Sequence, residues 1–263
     1  MSEVTTELEA ETKQPEPETE SGKMSFLEHL DELRKRLLHI AAYIALGFLA
    51  CWFFHRQIYD FLAIPITKAL PPNTKLVYTN VISVFTLYMK VAFLGGIFLT
   101  LPLTLYEVWK FIAPGLYKKE KRYIIPFLVS SMFLFVAGAS FCYYIVLPAA
   151  FKVLIELGAS FTPMIKIDEY LDLTNMMLLG FGSIFEMPVL AAFLSMFGLV
   201  SASFLWNKFK YAIVAIVVLA AVISPTGDAF NLMLWSAPMI LLYIISIGVA
   251  ALFGWRRKKS GLA

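Results

Sequence analysis

The chain has 263 residues, of which 59% are hydrophobic and only 16% charged. Soluble domains carry about 25% charged residues, so the polar surface here is too small to cover a water-soluble globule. The apolar residues fall into long uncharged blocks separated by charged clusters, the pattern of a chain whose solvent is lipid, and the net charge of +3 conceals strong local asymmetry.

Residues 1–22 contain seven glutamates and Lys13 in a Thr- and Pro-punctuated stretch with almost no large apolar side chains. Such a composition cannot bury enough surface to offset ordering entropy, which predicts a disordered acidic cytoplasmic tail over 1–23. It lacks the basic n-region and apolar core of a secretory signal. From Met24 to Leu38 the sequence turns amphipathic. Ser25 and Glu28 fit a capping box, and Phe26, Leu27, Leu30, Leu33 and Leu37 recur at helical spacing. This predicts a helix lying on the cytoplasmic membrane surface and leading into the first span.

Six blocks follow as spans: Leu37–His55, Val84–Val108, Tyr123–Phe151, Leu173–Val200, Tyr211–Ser224 and Ala229–Trp255. The fifth is short, with at most seventeen uncharged residues between Lys210 and Asp228, whereas a hydrocarbon core of about 30 Å takes about 20 helical residues. It crosses only where the bilayer thins or its flanks snorkel, the alternative being one fused re-entrant hairpin with the sixth. Pro102, Pro188 and Pro238 interrupt three of the spans. Each removes a backbone donor and bends its helix, which predicts a curved, concave wall of tilted helices in an all-α fold.

Lysines and arginines set the orientation. Sixteen of the 22 fall in the N-terminal segment, the Lys110–Arg122 loop, Lys208 with Lys210, and the Arg256–Lys259 tail; five fall in the alternate loops, and Lys90 lies within the second block. The bias places the first set, and both termini, in the cytoplasm. The domain reading is therefore a tail over 1–23, a six-helix membrane domain over 24–255 and a basic cytoplasmic tail over 256–263.

Enzyme chemistry finds no footing. Cys51 and Cys142 both lie within apolar blocks and read as buried thiols, and His29, His39 and His55 are too scattered for a ligand set. No cofactor, metal or nucleic-acid motif is present. Glu186, a carboxylate inside the fourth span, costs about 2.5–3.5 kcal/mol on insertion scales, so it is expected to face a protein pocket or a water-filled cavity, or to be protonated. It serves either as a polar spot contacting partner helices or as a structural hydrogen-bond acceptor. A secondary transporter of a small solute would use Lys90 and Glu186 as coupling groups, but no internal repeat between the halves supports it.

Four strings carry a resemblance. They are Phe26-Leu27-Glu28-His29-Leu30-Asp31-Glu32-Leu33-Arg34-Lys35-Arg36-Leu37, the run Tyr106–Arg122 with Trp109, Phe111 and Pro114-Gly115-Leu116-Tyr117, the run Gly182–Val189 with Phe185-Glu186-Met187-Pro188, and the turn Ser224-Pro225-Thr226-Gly227-Asp228. In order and spacing they resemble the TatC family over residues 24–255. The resemblance implies a receptor for twin-arginine signal peptides in the bacterial inner membrane. It also implies self-association and work with TatA- and TatB-like single-span partners, exporting folded proteins on the proton-motive force.

In the family, the positions of Glu32 and Glu120 are understood to receive the arginine pair. A guanidinium is always charged and its planar fork matches a carboxylate, so two carboxylates on separate segments suit two adjacent arginines. The local alternative pairs Glu32 with Arg36 at i+4 and Glu120 with its basic neighbours. Trp109 and Phe111 read as interface-belt anchors, and the resemblance makes Phe111 a signal-peptide contact as well. Pro65 matches a family proline that shapes the first periplasmic loop, and Asp228 either caps the sixth helix or meets a partner.

Overall fold

The computed structural model describes residues 26–72, 74–112, 124–223 and 229–259. Its elements are α1 (Phe26–Trp52), α2 (His55–Ala69), α3 (Val81–Ile112), α4 (Ile124–Phe141), a π turn (Cys142–Val146), α5 (Leu147–Leu157), α6 (Ile167–Ile184), α7 (Met187–Met196), α8 (Ala202–Asn207), α9 (Phe209–Ile223) and α10 (Ala229–Lys259). The acidic tail, Ser25, the Pro114–Arg122 part of the second string and the whole Ser224–Asp228 turn lie outside the described residues.

Five stretches are long and apolar enough to cross a membrane: Leu27–Trp52, Val81–Ile112, Ile125–Leu157, Ile167–Met196 and Leu232–Trp255. The sixth, Phe209–Val222, is the short one. At 1.5 Å per residue the fifteen residues of α9 reach about 22 Å, less than the hydrocarbon thickness. This is a six-span helical membrane protein. Only 11% of the first span and 50% of the fourth are buried within the chain, so the spans form an open wall and not a closed bundle.

The expected surface helix does not exist as a separate element. Between Phe26 and Trp52 the helix is continuous, because the only glycine, Gly47, sits late and no proline occurs to break it. The amphipathic opening is thus the first three turns of the spanning helix. The segment read as the first periplasmic loop is also helical. Pro65 lies inside helix α2, buried beside Leu62, Ala63 and Ile66.

Pro65 has no N–H, so the Phe61 carbonyl four residues earlier loses its helical partner. The Tyr143 hydroxyl donates to that carbonyl, and the Tyr143 ring stacks on Phe61 at 4.5 Å between centroids. The Tyr170 hydroxyl donates to the neighbouring Leu62 carbonyl. Two backbone bonds, Val77 N–H to Ile165 O and Ile167 N–H to Val77 O, both 2.9 Å, tie the segment before α3 to the segment before α6. Helix α2 and the segment before α3 are therefore held to the spans by tyrosines and one short backbone bridge.

Two spans are interrupted. In the third, Pro148 stands in the first turn of α5 and the helix passes through a π turn just before it, with Leu147 N–H reaching Cys142 O. Adding one residue to the turn gives the carbonyls freed by the proline a new register. In the fourth, Pro188 in the first turn of α7 marks the restart after a break at Phe185–Glu186, so the expected single helix is two. Gly198, at φ 73°, ends α7 in the left-handed conformation, and Leu199 N–H returns to Leu194 O at 2.9 Å.

The tightest pairing of spans is α1 against α3. A Cβ on Gly47 would stand 2.7 Å from the Gly96 carbonyl oxygen, and one on Gly96 would stand 2.6 Å from the Phe48 nitrogen. Small residues let backbones touch where lipid gives no hydrophobic drive for association. This crossing sets the register of everything toward the end of the bundle expected to face the cytoplasm.

Candidate functional site

In an antiparallel pair touching at Gly47 and Gly96, residues about three turns from the crossing meet again. There Arg36 of α1 faces Glu107 of α3. Arg36 Nη1 donates to Glu107 Oε2 at 2.8 Å, and Arg36 Nη2 donates to Glu32 Oε1 at 2.9 Å. One guanidinium bridges two carboxylates, one from each helix. All three side chains are largely shielded, with exposures of 14% for Glu32, 16% for Arg36 and 5% for Glu107.

The second oxygen of Glu107 has only long contacts, 3.5 Å from the Tyr43 hydroxyl and 3.5 Å from His39 Nδ1. Glu32 Oε2 and Arg36 Nε are buried with no hydrogen-bond partner among the described residues. The network is strong in its two short bonds and incomplete at both ends.

One turn before Glu32, on the same face of α1, the His29 ring stacks on Phe111 of α3, with centroids 4.6 Å apart and planes at 22°. The structure therefore brings Glu32 and Phe111, 79 positions apart in the sequence, to adjacent turns of one surface. Glu120 and Asp228 lie outside the described residues. Sequence reasoning did not single out Glu107, although it stands in the second string. Its signal was a lone acid in the last two turns of an apolar helix, where burial demands a cation.

Trp109 corrects an expectation. It is only 3% exposed and belongs to an aromatic cluster with Phe127 and Phe193, at centroid distances of 5.4 and 5.0 Å. It is core, not an interface anchor, because on α3 it faces α4 and α7, on the side away from Glu107. Its indole N–H donates to Ser131 Oγ at 3.2 Å. Ser131 in turn lies beside the Glu186 carboxyl.

Glu186 sits at the break between α6 and α7. Its Oε1 is buried without a partner among the described residues. Both readings of this carboxylate thus have a physical basis: it lies beside the Ser131 hydroxyl of α4, and one of its oxygens stays unsatisfied. Lys90 is engaged elsewhere, donating to Asp172 at 2.5 and 2.7 Å, so the two groups that a solute transporter would couple belong to separate pairs.

Residues 28–238 match the sequence profile of a family described as Sec-independent protein translocase protein (TatC). The chain belongs to the TatC family. It is 52% identical over 232 residues to the "Sec-independent protein translocase protein TatC" of Koribacter versatilis, covering 87% of this chain and 86% of that one. With the protein of the same name from Campylobacter jejuni it shares 40% identity over 225 residues, covering 83% and 90%. The crystal structure of "Twin Arginine Translocase Receptor- TatC" superposes with a TM-score of 0.77 at 35% identity, covering 86% of this chain and 99% of that one. In this TatC-family chain the described halves of the first two sequence strings form one contiguous surface, built from the N-terminal turns of α1 and the C-terminal turns of α3.

Proposed function

We propose that this chain is the signal-peptide receptor of a twin-arginine export system. In this reading it lies in the bacterial inner membrane with both termini in the cytoplasm. Glu32 and Glu120 receive the arginine pair, and Phe111 lines the adjoining surface. TatA- and TatB-like single-span proteins and further copies of the chain complete the translocase, which draws on the proton-motive force. Glu186, at the break in the fourth span, offers its unsatisfied oxygen to a partner helix within the membrane. Pro65 and Asp228 shape the connections at the outer end of the spans.

The observation that carries this reading is the convergence of Glu32 and Phe111 on one surface at the end of the α1–α3 pair. An acceptor for a guanidinium and an apolar ring side by side suit a peptide in which paired arginines precede hydrophobic residues. Family membership and the likeness to the crystal structure of a twin-arginine translocase receptor support it further.

Photocrosslinking in membranes tests the proposal. A twin-arginine precursor carrying a photoreactive residue beside its arginine pair is expected to crosslink to the wild-type chain, and to fail with Glu32→Ala or Glu120→Ala at equal expression. Equal crosslinking by a twin-lysine precursor, or none by the twin-arginine one, would overturn it.

A further inference from the structure

We infer that Arg36 is an internal occupant of the guanidinium acceptor, and that it sets the affinity threshold an incoming peptide cation must exceed. The inference rests on the receptor reading above and names how access to that site is controlled. Neither oxygen of Glu32 is open as the chain stands: Oε1 carries Arg36, and Oε2 is buried. A peptide cation reaches this carboxylate only by moving Arg36 aside.

The geometry makes that displacement feasible. Arg36 is held by two acids, and the second, Glu107, is the more deeply buried and keeps its own 2.8 Å bond to the guanidinium. When the bond to Glu32 breaks, Arg36 is not left as an uncompensated buried charge. Glu107 Oε1, whose present contacts are both 3.5 Å, can accept the released nitrogen and complete a two-point fork. The unsatisfied Nε of Arg36 shows that its present bridging position wastes a donor.

The cost of moving Arg36 is the same whichever cation arrives, so Arg36 raises the threshold for arginine and lysine alike. The preference for arginine stays with the carboxylate itself, which pairs better with a planar, weakly hydrated fork than with a compact, strongly hydrated point charge. Glu107 is the positioning residue that lets Arg36 leave.

The test measures binding of a labelled twin-arginine signal peptide and its twin-lysine counterpart to the purified full-length chain in lipid nanodiscs. Arg36→Gln is expected to tighten both peptides by about tenfold, the scale of one charged hydrogen bond, and to leave the arginine-over-lysine ratio unchanged. Glu107→Gln, which confines Arg36 to Glu32, is expected to weaken twin-arginine binding. The double variant should behave like Arg36→Gln alone, since Glu107 acts only through Arg36. A merely structural pair would weaken binding in every variant, and that result would overturn the inference. If Arg36→Gln does not survive purification, Arg36→Lys carries the test: its single ammonium cannot fork both acids, and both peptides should again tighten. No discrimination by the wild-type chain would sink the receptor reading itself. Normal discrimination with affinities that Arg36→Gln and Arg36→Lys leave untouched would sink only the role of Arg36.

Discussion

Gly47 of α1 and Gly96 of α3 cross with their backbones in contact: a Cβ on Gly47 would lie 2.7 Å from the Gly96 carbonyl oxygen. Neither atom is the end of a flexible side chain, so no rotamer change can relieve the clash. Substituting either glycine by valine is expected to cost about 1–3 kcal/mol through overpacking, and to separate Arg36 from Glu107 at the far end of the pair. Thermal unfolding in detergent measures this, with Gly180→Ala as control. Nothing lies within 4 Å of a Cβ at Gly180, so that helix position should be neutral or gain about 0.4–1 kcal/mol.

Tyr143 supplies the hydrogen bond that Pro65 removes from α2. Tyr143→Phe leaves the Phe61 carbonyl unpaired and is expected to lower stability by about 1–3 kcal/mol. With Pro65→Ala the helix regains its own donor, and Tyr143→Phe should then cost measurably less. Equal loss in the two backgrounds, read from the same thermal transitions, would refute the coupling.

Ser131 joins Trp109 to Glu186. Ser131→Ala orphans the indole N–H in a buried cluster and removes the hydroxyl that lies beside the Glu186 carboxyl. The expected loss is about 1–3 kcal/mol, large for the removal of one hydroxyl. Glu186→Gln should recover part of it, because a buried amide is less costly to leave partly unpaired than a carboxylate. A double-mutant cycle in unfolding free energy checks the sign.

Phe111 stacks on His29 one turn from Glu32. An aromatic pair is worth about 0.5–1.5 kcal/mol beyond its buried area, so Phe111→Ala is expected to weaken signal-peptide binding about two- to tenfold. Phe111→Tyr should preserve it. Fluorescence titration with a labelled peptide distinguishes the two. Loss of binding with the tyrosine variant would argue against an aromatic surface at this position.

Much of this architecture was legible in the residues alone. Apolar blocks of spanning length and the clustering of lysine and arginine fix the number of crossings and their expected orientation, because the bilayer is a solvent with one thickness and a known charge bias. Glu32 and Phe111 stood out because each lies in a string whose spacing resembles the TatC family. Other features needed the third dimension. The split of the fourth span at Glu186 and the π turn before Pro148 depend on whether neighbouring helices can take up the carbonyls that a proline frees. Trp109 reads as an interface anchor until α4 and α7 are seen to cover it. Above all, sequence offers Glu32 a partner four residues away in Arg36, but not the second carboxylate. Glu107 lies 71 positions from Arg36, and only the glycine crossing of α1 and α3 brings it within hydrogen-bond reach. Periodicity and hydropathy are local properties, so sequence determined which segments meet lipid. Close approach between distant helices is set by which small residues face each other, and tertiary structure alone decided that one arginine is shared by two buried acids.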